Sequence, residues 1–118
     1  MIRIEEKKLI AFARKLLQTP SPSGREKEIT RILAAEMKAS GFGRVRVDGL
    51  NNVVGVIKGK SPRFRLMLNG HIDHAEAGAM KNPHSGKIVE IDGRKAIWGR
   101  GARCRRSCRT TPGPCCTP

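Results

Sequence analysis

Cysteine is absent from the first 102 residues of this 118-residue chain; all four cysteines fall between Cys104 and Cys116. A body without thiols has no disulfide framework to hold it. Tyrosine is missing altogether, and the aromatics are three Phe and one Trp, so the core is modest and there is little for base stacking. The length suits one small domain at most, too little for an enzyme with a large cleft. No stretch approaches the ~18 apolar residues of a membrane span. The N-terminus lacks the basic-then-apolar order of a secretory signal, which makes a cytoplasmic address without a membrane partner the expectation. Acids are also scarce, 10 against 24 Lys and Arg, for a net charge of +14. Residues 103–118 contribute Arg103, Arg105, Arg106 and Arg109 with no acid, so the first 102 residues still carry +10. Charge of that size attracts nucleic acid when it is massed on one stripe, but here the basic residues are interspersed with acids. A small basic nucleic-acid-binding module is therefore the alternative reading, and nucleic acid is not the expected partner.

What the chain does contain is periodic. Over 4–18 the apolar positions Leu9, Phe12, Ala13, Leu16 and Leu17 recur at three- and four-residue steps with Lys7, Lys8, Arg14 and Lys15 opposite, the pattern of an amphipathic helix. Thr19-Pro20-Ser21-Pro22-Ser23-Gly24 ends it, because proline removes a backbone donor and disfavours helical geometry in the residue before it. Ser23 followed by Glu26 fits a capping box that opens a second helix, with Ile29, Ile32, Leu33 and Met37 as its buried face and Gly41 as its stop. The period then drops to two. Val45 and Val47 alternate with Arg44 and Arg46, Asn51-Asn52 makes a turn, and 53–57 forms the hairpin partner. Residues 64–68 are apolar at nearly every position, as in a central strand covered on both faces. Asp92-Gly93 between 88–91 and 96–98 predicts a second hairpin. Two helices followed by a sheet with a buried central strand give an α/β layered architecture, incomplete at its C-terminal side.

The strongest chemical signal is Gly70-His71-Ile72-Asp73 at the end of that apolar run. On a strand, His71 and Asp73 leave the same face, roughly 6.6 Å apart along the backbone. A carboxylate that accepts one ring N–H fixes the imidazole tautomer and leaves the other nitrogen lone pair for a metal. His74 and His84 read as solvated loop residues, Glu76 has nothing to assign it, and Trp98 is expected to pack. Gly99 and Gly101 are expected to allow tight backbone turns beside the metal site.

Taken in order, Pro20-Ser21-Pro22-Ser23-Gly24, Gly70-His71-Ile72-Asp73, Ser85-Gly86-Lys87 and Trp98-Gly99-Arg100-Gly101-Ala102 resemble the N-terminal part of the catalytic domain of the zinc-dependent acetylornithine deacetylase, succinyl-diaminopimelate desuccinylase and carboxypeptidase G family. The resemblance covers 1–102. It implies a layered α/β zinc-peptidase domain, a pair of zinc ions (cobalt as a substitute), and hydrolysis of an amide or peptide bond in a small N-acyl amino acid or peptide, with a glutamate as general base. Homodimerisation in that family uses a further domain that has no counterpart in this sequence. By motif, His71 would be a metal ligand and Asp73 the catalytic partner that orients its ring. The family then places a bridging aspartate two residues after Gly-Arg-Gly-Ala, where this chain has Arg103 and Cys104. From Arg103 onward there is no acid and no Leu, Ile, Val or Phe, so 103–118 reads as a disordered basic Cys/Pro-rich tail. An abrupt change of composition inside a motif is what a shifted reading frame produces. Cys104, Cys108, Cys115 and Cys116 lack the two paired short spacings of a structural zinc site. The expectation is an inactive, truncated metallohydrolase fragment.

Overall fold

The structure is a computed structural model and describes residues 4–61 and 63–100. Helix α1 spans Glu6–Gln18 and α2 spans Lys27–Ala39, followed by strands β1 (Arg44–Val47), β2 (Val53–Val56), β3 (Lys87–Ile91) and β4 (Arg94–Trp98). The four strands form two separate antiparallel hairpins, β1 with β2 and β3 with β4. The chain divides into two compact units, one continuous over Ser21–Asp73 and one made of the residues up to Pro20 and from His74 onward.

In the continuous unit, α2 stops as its sequence demands. Gly41 takes φ +83°, the Phe42 N–H donates to Met37 O at 3.0 Å and the Gly41 N–H to Lys38 O at 3.1 Å. These are the two bonds of a Schellman ending, and they satisfy carbonyls that the helix leaves unpaired. Phe42 is thereby turned back over the β1–β2 hairpin. A Cβ at Gly55 would lie 2.5 Å from Phe42 Cδ1 and 2.8 Å from Met37 Sδ, so the absence of a side chain at Gly55 lets these two groups cover the strand. Ile29 is the buried apolar residue of the unit, at 7% exposure. Beside it Thr30 is also buried and donates its hydroxyl to Asn51 O at 3.0 Å. The β1–β2 turn is organised by Asp48, whose Oδ1 accepts the Leu50 and Asn52 N–H groups and whose Oδ2 accepts the Asn52 amide. These bonds, led by the Asn52 side chain, hold the Asp48 carboxyl below its ordinary value.

The discontinuous unit sets α1 against the segment around β3 and β4. The apolar face expected on α1 forms in part: Phe12, Ala13, Leu16 and Leu17 are half-buried, whereas Leu9 stays exposed. Polar contacts fasten the second half of the helix. Arg14 Nε donates to Gly86 O at 2.7 Å, Gln18 Nε2 to Ser85 O at 3.1 Å, and the Thr19 hydroxyl closes the last turn on Lys15 O at 2.9 Å. The β3–β4 turn carries φ +51° at Asp92 and +69° at Gly93. Two successive positive φ values match the right-handed twist of the strands, which is why Asp-Gly is favoured there.

The described residues bear out a mixed α/β arrangement, with two helices and two antiparallel hairpins. One expectation is corrected. Residues 64–68 are not a central strand: they make no ladder, and Phe64, Leu66, Met67 and Leu68 are each more than four-fifths exposed. An all-apolar strand is stable only with paired edges and two covered faces, and the described residues supply neither. The readings of Gly101 and of 103–118 lie outside the described residues.

Replacing Gly55 with Val would force Phe42 and Met37 off the hairpin. We expect a loss of about 1–3 kcal/mol, the usual cost of overpacking, read from chemical denaturation of the Ser21–Asp73 unit; an unchanged midpoint would refute this packing.

Candidate metal-ligand and hydrogen-bond site

Both residues singled out by the sequence lie at the end of the continuous unit, outside any helix or strand. Their side chains nevertheless meet. His71 Nδ1 is 3.0 Å from Asp73 Oδ1 and 2.9 Å from the Asp73 backbone O. A carbonyl and an ionised carboxylate can only accept, so Nδ1 must carry the proton and donate to both. This fixes the tautomer with the lone pair on Nε2, the form in which a neutral imidazole binds a metal. The ring side chain is 85% exposed, whereas that of Asp73 is 38% exposed. The imidazole projects outward from a more enclosed carboxylate.

Asp73 has a second partner that sequence reasoning missed. The Ser23 hydroxyl donates to Asp73 Oδ2 at 2.5 Å, on the oxygen opposite the one that His71 uses. Ser23 therefore does not cap α2. The residue before the first turn is Glu26, which makes no side-chain cap bond. Its carboxylate instead accepts the Gly24 N–H at 2.5 Å, one residue later than the reciprocal half of a capping box requires. Next to it, Ser21 is buried to 1% exposure and its hydroxyl donates to Ile72 O at 2.9 Å. Hydroxyls at alternate positions of the proline loop thus reach successive residues of the 71–73 segment. The signal available in the sequence was the serine doublet spaced by proline, with rigid neighbours on both sides.

These contacts set the electrostatics. The Ser23 hydrogen bond first, and the His71 hydrogen bond second, hold the Asp73 carboxyl below the ordinary aspartate value, against a smaller opposing effect of desolvation.

Other expectations fare differently. His84 is half-buried rather than solvated, its Nδ1–H donating to Leu17 O at 3.1 Å, and its ring centroid lies 5.2 Å from that of His74, which is also half-buried. Trp98 is 39% exposed and makes a 3.3 Å bond from its indole N–H to Lys81 O. It is anchored by one edge instead of packed inside. Gly99 is buried because Leu17 approaches it: a Cβ there would sit 3.0 Å from Leu17 Cβ. Close approach, not a positive φ, explains this glycine. Glu76 is exposed, with no role assigned by its surroundings.

As a metal centre the arrangement offers one ligand. No group of three or more His, Cys, Asp or Glu side chains that could hold an ion occurs among the described residues. His71 has the tautomer and exposure of a ligand, but a complete donor set is not assembled around it.

Comparison with known proteins gives the chain hydrolase relatives. No protein-family profile matches it, and no solved structure matches it at a significant level. Over 94 residues, 76% of this chain and 22% of the relative, it is 36% identical to YgeY, an uncharacterized protein of Escherichia coli K12. Over 105 residues, 86% of this chain and 26% of the relative, it is 33% identical to a Thermococcus kodakarensis protein provisionally named LysW-lysine/LysW-ornithine hydrolase. The Pyrococcus furiosus protein of the same provisional name is 31% identical over 102 residues, 86% of this chain and 27% of the relative. The chain spans about a quarter of the length of the curated relatives it matches. No helix among the described residues is long and apolar enough to cross a membrane.

Because the folded state lowers the Asp73 pKa, the pairing contributes stability above the ordinary aspartate value and loses it as the pH falls through the lowered one. A carbon-13 titration of the Asp73 carboxyl should therefore have its midpoint below the ordinary aspartate value, and Ser23→Ala should move it upward; a midpoint at the ordinary value would contradict the geometry.

Proposed function

We propose that this chain is the N-terminal part of the catalytic domain of a metal-dependent hydrolase of amide or peptide bonds. Its substrate class would be an N-acyl amino acid or a small peptide. The carrying observation is the His71–Asp73 pair, in which the carboxylate and backbone carbonyl compel Nδ1 to donate and leave an exposed ring with Nε2 available. The likeness to proteins named as hydrolases supports the reaction class. Substrates that join LysW to lysine or ornithine, as those names state, are the first to try.

In this reading His71 supplies one ligand to a zinc site, with cobalt as a substitute, and Asp73 holds the ring in place. A bound zinc acidifies water and polarises the scissile carbonyl. The chain's own contribution is narrower: it orients one imidazole and keeps its partner carboxylate ionised. The other ligands and the general base would come from residues other than those described. The break in composition at Arg103, inside the Gly-Arg-Gly-Ala motif, supports a frameshifted tail and an inactive fragment. If so, another reading frame of the coding DNA beyond Ala102 should encode an acidic, glycine-rich continuation with the bridging aspartate; frames without one would refute the shift.

A single imidazole binds zinc far more weakly than a three- or four-ligand site. The purified chain should therefore show no zinc-stimulated cleavage of N-acyl amino acids above the buffer rate. Weak zinc or cobalt binding should broaden or shift the His71 ring resonances, and the metal-induced shifts of the neighbouring backbone amides should disappear in His71→Ala. Enzyme-like turnover by the chain, or ring resonances indifferent to metal, would overturn the proposal.

A further inference from the structure

The Ser23 hydroxyl has the placement of a control element for the His71 ring. A carboxylate turns about its last torsion in a broad, roughly two-fold potential. One hydrogen bond tethers one oxygen and still lets the plane swing. Bonds to both oxygens from opposite sides define the plane. At Asp73 the two are the His71 N–H on Oδ1 at 3.0 Å and the Ser23 hydroxyl on Oδ2 at 2.5 Å. We propose that Ser23 is a positioning residue, whose hydroxyl locks the Asp73 carboxylate in the orientation that selects the Nδ1–H tautomer of His71. This rests on the reading of His71 as a ligand and Asp73 as its partner.

Three features make Ser23 suited to the task. Its own backbone is held: Pro20 and Pro22 fix their φ angles, the Arg25 N–H donates to Pro22 O at 2.9 Å, and Gly24 turns at φ +85° with its N–H on Glu26. Second, the neighbouring Ser21 joins the same loop to Ile72 O from a buried position. The loop and the 71–73 segment are thus joined at two successive points, and Ser23 cannot drift along the segment. Third, the hydroxyl is not engaged at the start of α2, whose first turn has no side-chain cap. The chemistry is also specific. An ionised carboxylate requires a donor, so serine and threonine can serve where alanine cannot.

The backbone carbonyl of Asp73 also accepts from Nδ1, so loss of Ser23 does not abolish the favoured tautomer; it removes the carboxylate's share of the preference. The test is nitrogen-15 spectroscopy of the His71 ring in the full-length chain, at a pH where the imidazole is neutral. The wild-type ring should be mainly Nδ1–H. Ser23→Ala should lower the ratio of Nδ1–H to Nε2–H at least twofold, Ser23→Thr should keep it, and the amide shifts of β1 and β2 should stay in place in both. A ratio that Ser23→Ala leaves unchanged overturns the positioning role alone. A wild-type ring mainly in the Nε2–H form overturns the His71–Asp73 pairing and both readings with it. Should Ser23→Ala fail to fold, the wild-type chain still decides: the Ser23 hydroxyl proton should exchange slowly and show a nuclear Overhauser contact to the Asp73 methylene, and a freely exchanging hydroxyl sinks the proposal.

Discussion

An ionised carboxylate has nothing to donate, and at Asp73 this one-sidedness organises the surrounding groups. Two donors must approach it, and the chain supplies one from far away in sequence and one from close by, the hydroxyl of Ser23 from a loop fifty residues earlier and the ring of His71 from two residues before. The direction of each proton follows without further assumption. The proline loop is bound to the 71–73 segment, the imidazole is held in one tautomer, and its second nitrogen is directed away from the pair. A carboxamide at position 73 would not impose the same order, since it could donate to one neighbour and so reverse the direction of a bond.

Local rules were read well from the sequence because their causes are local. The helix endings at Gln18 and Ala39, the turn at Asp92-Gly93 and the pairing of β1 with β2 across a short turn each depend on residues within one or two turns of chain. The run at 64–68 misled because its composition describes what a strand needs around it, and those surroundings are not present among the described residues. Ser23 misled for the converse reason. Its spacing to Glu26 satisfied a local rule, yet the hydroxyl is engaged with a carboxylate far away in sequence. A serine between prolines cannot be assigned by spacing alone, because capping a helix and gripping a remote acid demand the same side chain.

Of the site, the His71–Asp73 contact was legible and its support was not. A ring and a carboxylate two residues apart are already within reach of each other, whatever the rest of the fold does. The contribution of Ser21 and Ser23 depends on how the loop after α1 is docked. Sequence periodicity carries no information about such docking. The half-buried His74 and His84 illustrate the same limit: His84 gained a partner, Leu17 O, from a helix that precedes it by 67 residues.

The discontinuous unit has a temporal consequence. Helix α1 is synthesised before the Ser21–Asp73 unit, but its fastenings at Gly86, Ser85 and His84 belong to segments that emerge only after that whole unit has been made. At ordinary elongation rates that interval is about 3–13 s. During it the nascent helix has none of these contacts, while the unit that follows it can already close on itself. Helix α1 is therefore secured only long after it has left the ribosome.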